Sequence, residues 1–146
     1  MIRILCVGKV KESFYREALS EYIKRMGKYH KVEIVEVPDS NMRDEGELLL
    51  KKISNKDYNI VLDINGKSMN SIEFANCLDK TFLNFSTITF IIGGSDGLDD
   101  RIKMLANLKI SFSALTFPHQ LFRVILLEQI YRSFKILNNE SYHKWW

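Results

Sequence analysis

Residues 87–98 read TITFIIGGSDGL: an almost wholly apolar, β-favouring run from Thr87 to Ile92, then glycine at positions 93, 94 and 97, then a helical pattern from Leu98. A short run without a polar face belongs to a strand covered on both sides, as in the centre of a parallel sheet. Glycines at the end of such a strand have two explanations. Either something approaches the main chain closely, or the turn needs a positive φ that glycine alone adopts without strain. The stretch by itself leaves both open.

Working outward, strands and helices alternate. Ile2–Val7 is β-rich, and Val32–Val37 (VEIVEV) alternates apolar and acidic residues up to Pro38, as a strand with one solvated face would. Tyr58–Leu62 (YNIVL) reads as a buried strand closed by Asp63 and a turn around Asn65-Gly66, and Lys109–Ser113 as a short strand. Between them, Glu12–Met26 carries Phe14, Ala18, Tyr22 and Met26 at helical spacing. Asp44–Ile53, Ser71–Phe82 (with Ser71 as its cap), Leu98–Leu108 and Pro118–Leu137 are the remaining helices. The pattern predicts a single α/β/α sandwich with a mostly parallel sheet over residues 1–146, TITFII at its centre.

Composition narrows the function classes. Hydrophobic residues make up 46% and charged residues 27%, ordinary for a soluble globular chain. No apolar run approaches the roughly 20 residues of a membrane span, and the N-terminus lacks a signal-peptide pattern. Cys6 and Cys77 are unclustered, which argues against a zinc site and for a reducing, cytoplasmic setting. The net charge of +3 is unevenly distributed: residues 1–31 sum to +5, residues 32–100 to −7 and residues 101–146 to +5. Basic ends around an acidic middle build a positive face if both lie on one side of the molecule, and such a face suits a polyanion. Solvated helix faces are the plainer explanation.

Ligands of open α/β sheets bind at the carboxyl ends of the strands. Three loops qualify, after Leu62, Ile92 and Ser113. The glycines at 93, 94 and 97 do not have the GxGxxG spacing of a dinucleotide site, and Gly66-Lys67-Ser68 has Val61 where a phosphate-binding loop needs its first glycine. Asp96, Asp99 and Asp100 would also repel phosphate, although they suit the dipole of the helix that follows. The expected ligand is therefore not a polyphosphate.

The C-terminal third is the most distinctive part. TFPHQLFRV (116–124) leads into LLEQIYR (126–132), which places Glu128, Gln129 and Arg132 within an apolar helical stripe, and the chain closes on Tyr142-His143-Lys144-Trp145-Trp146. Together with the strand-Gly-Gly-x-x-Gly loop, these runs resemble the RlmH family over the whole chain. Its members are SPOUT-superfamily methyltransferases that modify N3 of a pseudouridine in 23S rRNA. Two features depart from the family pattern: Ser141 stands where a proline is usual, and Trp145-Trp146 follow Lys144.

The resemblance implies a trefoil knot in the C-terminal half, S-adenosyl-L-methionine as cofactor, 23S rRNA within the ribosome as partner, no metal, and a homodimer in the cytoplasm. It carries cofactor binding onto Leu62, Gly93 and the run Phe112, Ser113, Ala114, Leu115, Thr116 and Phe117, the same three strand-end loops. It carries catalysis onto Arg132, Tyr142, His143 and Lys144. By residue type His143 is the candidate base or proton relay, Arg132 and Lys144 would steady an anionic oxygen or grip a phosphate, and Tyr142 would stack on a base. His119 is expected to begin its helix or to line the cofactor pocket. The broad apolar stripe of the last helix is the reason to expect a dimer. The alternatives are a methyltransferase of another RNA, a non-catalytic RNA-binding module, and, for the tail, a frayed terminus.

Overall fold

The computed structural model describes residues 1–144; Trp145 and Trp146, the two residues beyond the family-like motif, lie outside the described residues. The elements run β1 (Ile2–Val7), α1 (Ser13–Met26), β2 (Val32–Val37), α2 (Met42–Leu50), β3 (Tyr58–Ser68), α3 (Ser71–Phe82), β4 (Ile88–Ile92), α4 (Asp100–Leu105), β5 (Leu108–Ser111) and α5 (His119–Leu137). The strands form one sheet in the order β2-β1-β4-β3-β5, every pair parallel. β4 is the middle strand and is buried along its length, as the apolar run predicts.

Period-two alternation sorts the strand residues onto two cores. Ile2, Ile4, Cys6, Ile60, Ile88, Phe90 and Ile92 face the layer of α1, α3 and α5. Leu5, Val7, Val61 and Ile91 face α2 and α4 through Leu49, Leu98 and Ile102. α5 packs between α1 and α3 and buries Leu126, Leu127, Ile130, Tyr131 and Phe134 there. Leu121, Val124, Ile125 and Leu137 of the same helix stay half-buried. The two terminal segments meet where α1 packs on α5.

Two expectations are corrected. β3 does not stop at Leu62. It continues to Ser68, and its register against β5 jumps between Leu62, opposite Ile110, and Lys67, again opposite Ile110. Gly66 permits this: a Cβ there would sit 2.7 Å from the amide nitrogen of Ile110 and 2.7 Å from the carbonyl carbon of Lys109. A sequence that reads as a turn is in fact a bulged strand pressed against its neighbour. The cap of α3 is Asn70, whose side chain accepts from the backbone N–H of Glu73 while Glu73 reaches back to the Asn70 N–H. Ser71 is left with its hydroxyl available for other work.

After β5 the chain leaves the sheet edge through residues 112–118 and re-enters at α5 beside the carboxyl end of β1. Arg123 marks that docking. Its side chain is fully buried, pairs with Glu36 at 2.7 Å, and donates to the carbonyls of Val7 and Gly8 at 2.6 Å each.

Candidate active site

Two cavities lie side by side at the strand ends. The first, about 550 Å³, is lined by Leu62, Asp63 and Ile64 inside the long β3, by the glycine loop after β4, and by residues 111–113 and 115–119 at and after the end of β5. Of the expected cofactor positions, Leu62, Gly93, Phe112, Ser113, Leu115, Thr116 and Phe117 line it; Ala114 is exposed and does not. His119 also lines it, from the first turn of α5, and its Nε2 is buried without a hydrogen-bond partner among the described residues.

The glycine loop is primarily a turn. Gly97 has φ +89, its N–H donates to the Gly94 carbonyl at 3.0 Å, and a Cβ on Gly97 would meet nothing. Gly93 has a packing reason of its own to be glycine: a Cβ there would lie 2.7 Å from the backbone carbon and oxygen of Gly97. Asp99, just beyond the loop, is committed to its own helix. Asp99 accepts from the backbone N–H of Arg101 at 2.8 Å, and the Arg101 guanidinium beside it holds its carboxyl down at about 2. The cavity floor is apolar, through Ile92, Leu98 and Phe122, and Asp63 at its edge pairs with Lys103 at 3.7 Å. An apolar slot rimmed by backbone polar groups, one carboxylate and an orphaned imidazole nitrogen fits a flat heterocycle carrying a cationic tail.

The second cavity, about 510 Å³, shares Ile110, Phe112 and Phe117 with the first. Its other walls are Met69, Asn70, Ser71 and Phe74 from the start of α3, Ile125, Gln129 and Arg132 from α5, and His143 and Lys144 from the tail. Arg132, His143 and Lys144 therefore converge as expected. Tyr142 does not join them: its hydroxyl donates to Glu128 at 3.0 Å, its ring stands edge-on to Tyr131, and the Arg132 guanidinium lies over it. Burial, and then the Glu128 carboxylate, push its phenol up to about 12.

The tail is docked through residue 144. Asn139 takes φ 55 and turns the chain back after α5. Glu140 accepts from Tyr29 at 2.5 Å and Lys135 at 2.9 Å, and these two donors, Lys135 foremost, hold its carboxyl at about 2. Further along, Glu128 accepts from Arg132 at 2.8 Å as well as from Tyr142, and Nη1 of Arg132 lies 3.1 Å from Nδ1 of His143. Glu128, Gln129, Ser71 and Glu140 are site or support residues that sequence reasoning did not select. Polar residues inside an apolar helical stripe are the one signal that pointed to the first two.

The chain is similar along its length to proteins of known family. The family described as "Predicted SPOUT methyltransferase" matches residues 1–143. The protein named Ribosomal RNA large subunit methyltransferase H from Caldicellulosiruptor saccharolyticus is 46% identical, covering 99% of this chain and 100% of that protein. The protein of the same name from Clostridium botulinum (strain 657 / Type Ba4) is 48% identical over 98% and 99% of the two chains. Among solved structures, a probable methylase family protein from Haemophilus influenzae Rd KW20 superposes with TM-score 0.59 at 15% identity, covering 99% of this chain and 71% of that one. The tRNA (m1G37) methyltransferase of Aquifex aeolicus does so with TM-score 0.54 at 16% identity, over 90% and 69%. Those two likenesses concern the fold. With its parallel five-stranded sheet and a family match spanning nearly every residue, the chain belongs to the SPOUT methyltransferases.

Proposed function

We propose that the protein transfers a methyl group from S-adenosyl-L-methionine to N3 of a pseudouridine in 23S rRNA, acting on the assembled ribosome in the cytoplasm. One observation carries this reading: two adjoining cavities share a wall at Phe112 and Phe117, one built from strand-end loops and the other completed by the docked tail. The first would hold the cofactor and the second the base. The relatives' name supports an rRNA substrate. On this reading, the return of residues 112–118 across the strand ends is the crossing of a trefoil knot.

When bound, the cofactor supplies an electrophilic methyl group whose bonding pair returns to sulfur. The chain's own residues handle the acceptor. N3 of the base carries a proton between two carbonyls, and losing it to solvent spreads negative charge onto those oxygens. His143 and Lys144 line the cavity in which that charge would develop. An arginine can only donate, so its contact with Nδ1 makes that nitrogen the acceptor and leaves the proton of a neutral imidazole on Nε2. His143 is accordingly a hydrogen-bond donor to a ring oxygen in this reading, in place of a base. Arg132 and Glu128 are positioning residues, and Tyr142 fastens the tail.

Apolar side chains left exposed, Ile64, Leu115 and Phe117, surround the mouth of the first cavity and are the surface we assign to a homodimer contact. Sedimentation should show a species of twice 17.1 kDa. The function is tested with methyl-labelled cofactor offered to intact ribosomes, naked 23S rRNA and tRNA. Label on ribosomal 23S rRNA is expected. Label on tRNA alone indicates another RNA substrate, and a folded chain that binds no cofactor indicates a non-catalytic binding module.

A further inference from the structure

We propose that Gln129 and Ser71 form an acceptor edge that reads the extra ring N–H of a pseudouridine and rejects uridine at the same place; this rests on the pseudouridine reading above. The orientation of the Gln129 amide follows from its neighbours. Its Nε2 lies 3.3 Å from a Glu128 oxygen, and Glu128 already accepts from Arg132 and Tyr142. A carboxylate in that position accepts, so the amide NH₂ faces it and Oε1 faces away. There the Ser71 hydroxyl donates to Oε1 at 2.9 Å. That bond uses the one proton the hydroxyl has. What Gln129 Oε1 and Ser71 Oγ still offer is lone pairs alone.

Both residues line the second cavity, together with the donors Arg132, His143 and Lys144. The cavity thus has an acceptor edge between α3 and α5 and a donor edge along the tail, with Met69, Phe74, Phe112 and Phe117 supplying apolar surface for a flat ring. A ring that satisfies both edges needs carbonyl oxygens on one side and an N–H besides the reacting one on another. Pseudouridine, joined to its ribose through carbon, has N1–H in addition to N3–H and its two carbonyls. Uridine in the same pose places C5–H where N1–H would be. It would leave the remaining lone pairs of the two acceptors facing a C–H, and sites built around a hydrogen bond reject analogues that lack it.

Ser71 is available for this role because Asn70 performs the capping of α3. The test compares ribosomes whose target is pseudouridine with ribosomes from cells unable to isomerise that uridine. Methyl transfer is read as kcat/KM, with cofactor affinity measured alongside. Wild-type protein should prefer pseudouridine by about 10²-fold or more. Gln129→Met should reduce transfer to pseudouridine by roughly 10- to 100-fold, narrow the preference over uridine by a similar factor, and leave cofactor affinity unchanged. Ser71→Ala should shift the ratio in the same direction, with Ser71→Thr restoring it, and serves if Gln129→Met fails to fold. Equal losses on both substrates, or an unaltered preference, overturn the proposal while leaving the methyltransferase reading standing. Wild-type protein that methylates neither ribosome overturns the pseudouridine reading itself, and this proposal with it.

Discussion

Nη1 of Arg132 lies 3.1 Å from Nδ1 of His143, and that contact determines which proton the histidine carries. The guanidinium has no acceptor to offer, so Nδ1 must accept, and a neutral imidazole then presents Nε2–H. A donor and a base respond differently to substitution. His143→Ala should lower methyl transfer by about 10²–10³-fold, the usual effect of removing one donor to a developing anion. His143→Gln, whose amide NH₂ can take the place of Nε2–H, should retain most activity, and the pH profile of kcat/KM should keep its shape. If His143 is the base, glutamine is as damaging as alanine and a limb of the profile disappears with it.

Arg123 should be the most destabilising single position outside the strands. It is fully buried, and it satisfies Glu36 and two main-chain carbonyls at the end of β1. Arg123→Leu removes all three partners at once and leaves the carbonyls of Val7 and Gly8 buried and unpaired. Breaking a buried ion pair from one side costs about 3–5 kcal/mol. Denaturant unfolding that shows a loss under about 1 kcal/mol would be inconsistent with an anchoring role.

Much of this architecture is legible in the residues. β1 and β2 keep the bounds that alternation predicts, and TITFII becomes the central strand because a run without a polar face has nowhere else to go. β3 runs past its apolar segment for a physical reason that local sequence hides. Asp63, Asn65 and Gly66 are turn formers locally, and only the pressure of β5 against Gly66 shows that the glycine serves a close approach. One of the segments that line the first cavity is the middle of β3, and the other two, the loops after β4 and β5, follow from topology. The second cavity does not, because its edges come from α3, α5 and the tail, and no spacing within the chain brings Ser71 next to Gln129. The tail's own anchor, Glu140, looks like any surface glutamate until Tyr29 and Lys135 are seen around it.

Glu140 makes the tail sensitive to acid. Its carboxyl is lowered from an ordinary 4.5 to about 2 by Lys135 and Tyr29. A group depressed in the folded state stabilises fully above its unfolded value and loses that contribution as pH falls through the folded one. Wild-type protein should therefore melt at a higher temperature than Glu140→Gln at neutral pH. The gap should narrow as pH drops from 4.5 toward 2. Melting curves with a constant gap across that window would mean that the carboxylate's charge is not what holds the tail.

The glycine loop gives a paired test of stability against binding. Gly97→Ala adds a methyl group to open space at a positive φ, so it should cost about 1 kcal/mol of backbone strain and little packing. Gly93→Val drives its side chain into the Gly97 backbone and should lower the melting temperature and cofactor affinity together. Calorimetry that finds a fully stable Gly93→Val chain deprived only of cofactor binding would restore direct ligand approach as the reason for this glycine.

The division of labour between the two cavities is tested most directly by the single-turnover rate of methyl transfer to ribosomes at saturating cofactor, after deletion of residues 142–146. None of the deleted residues described lines the first cavity, whereas His143 and Lys144 line the second. The rate should fall by about 10²–10⁴-fold although the cofactor site is full. A rate near that of the full chain would contradict the assignment of the tail to the active site.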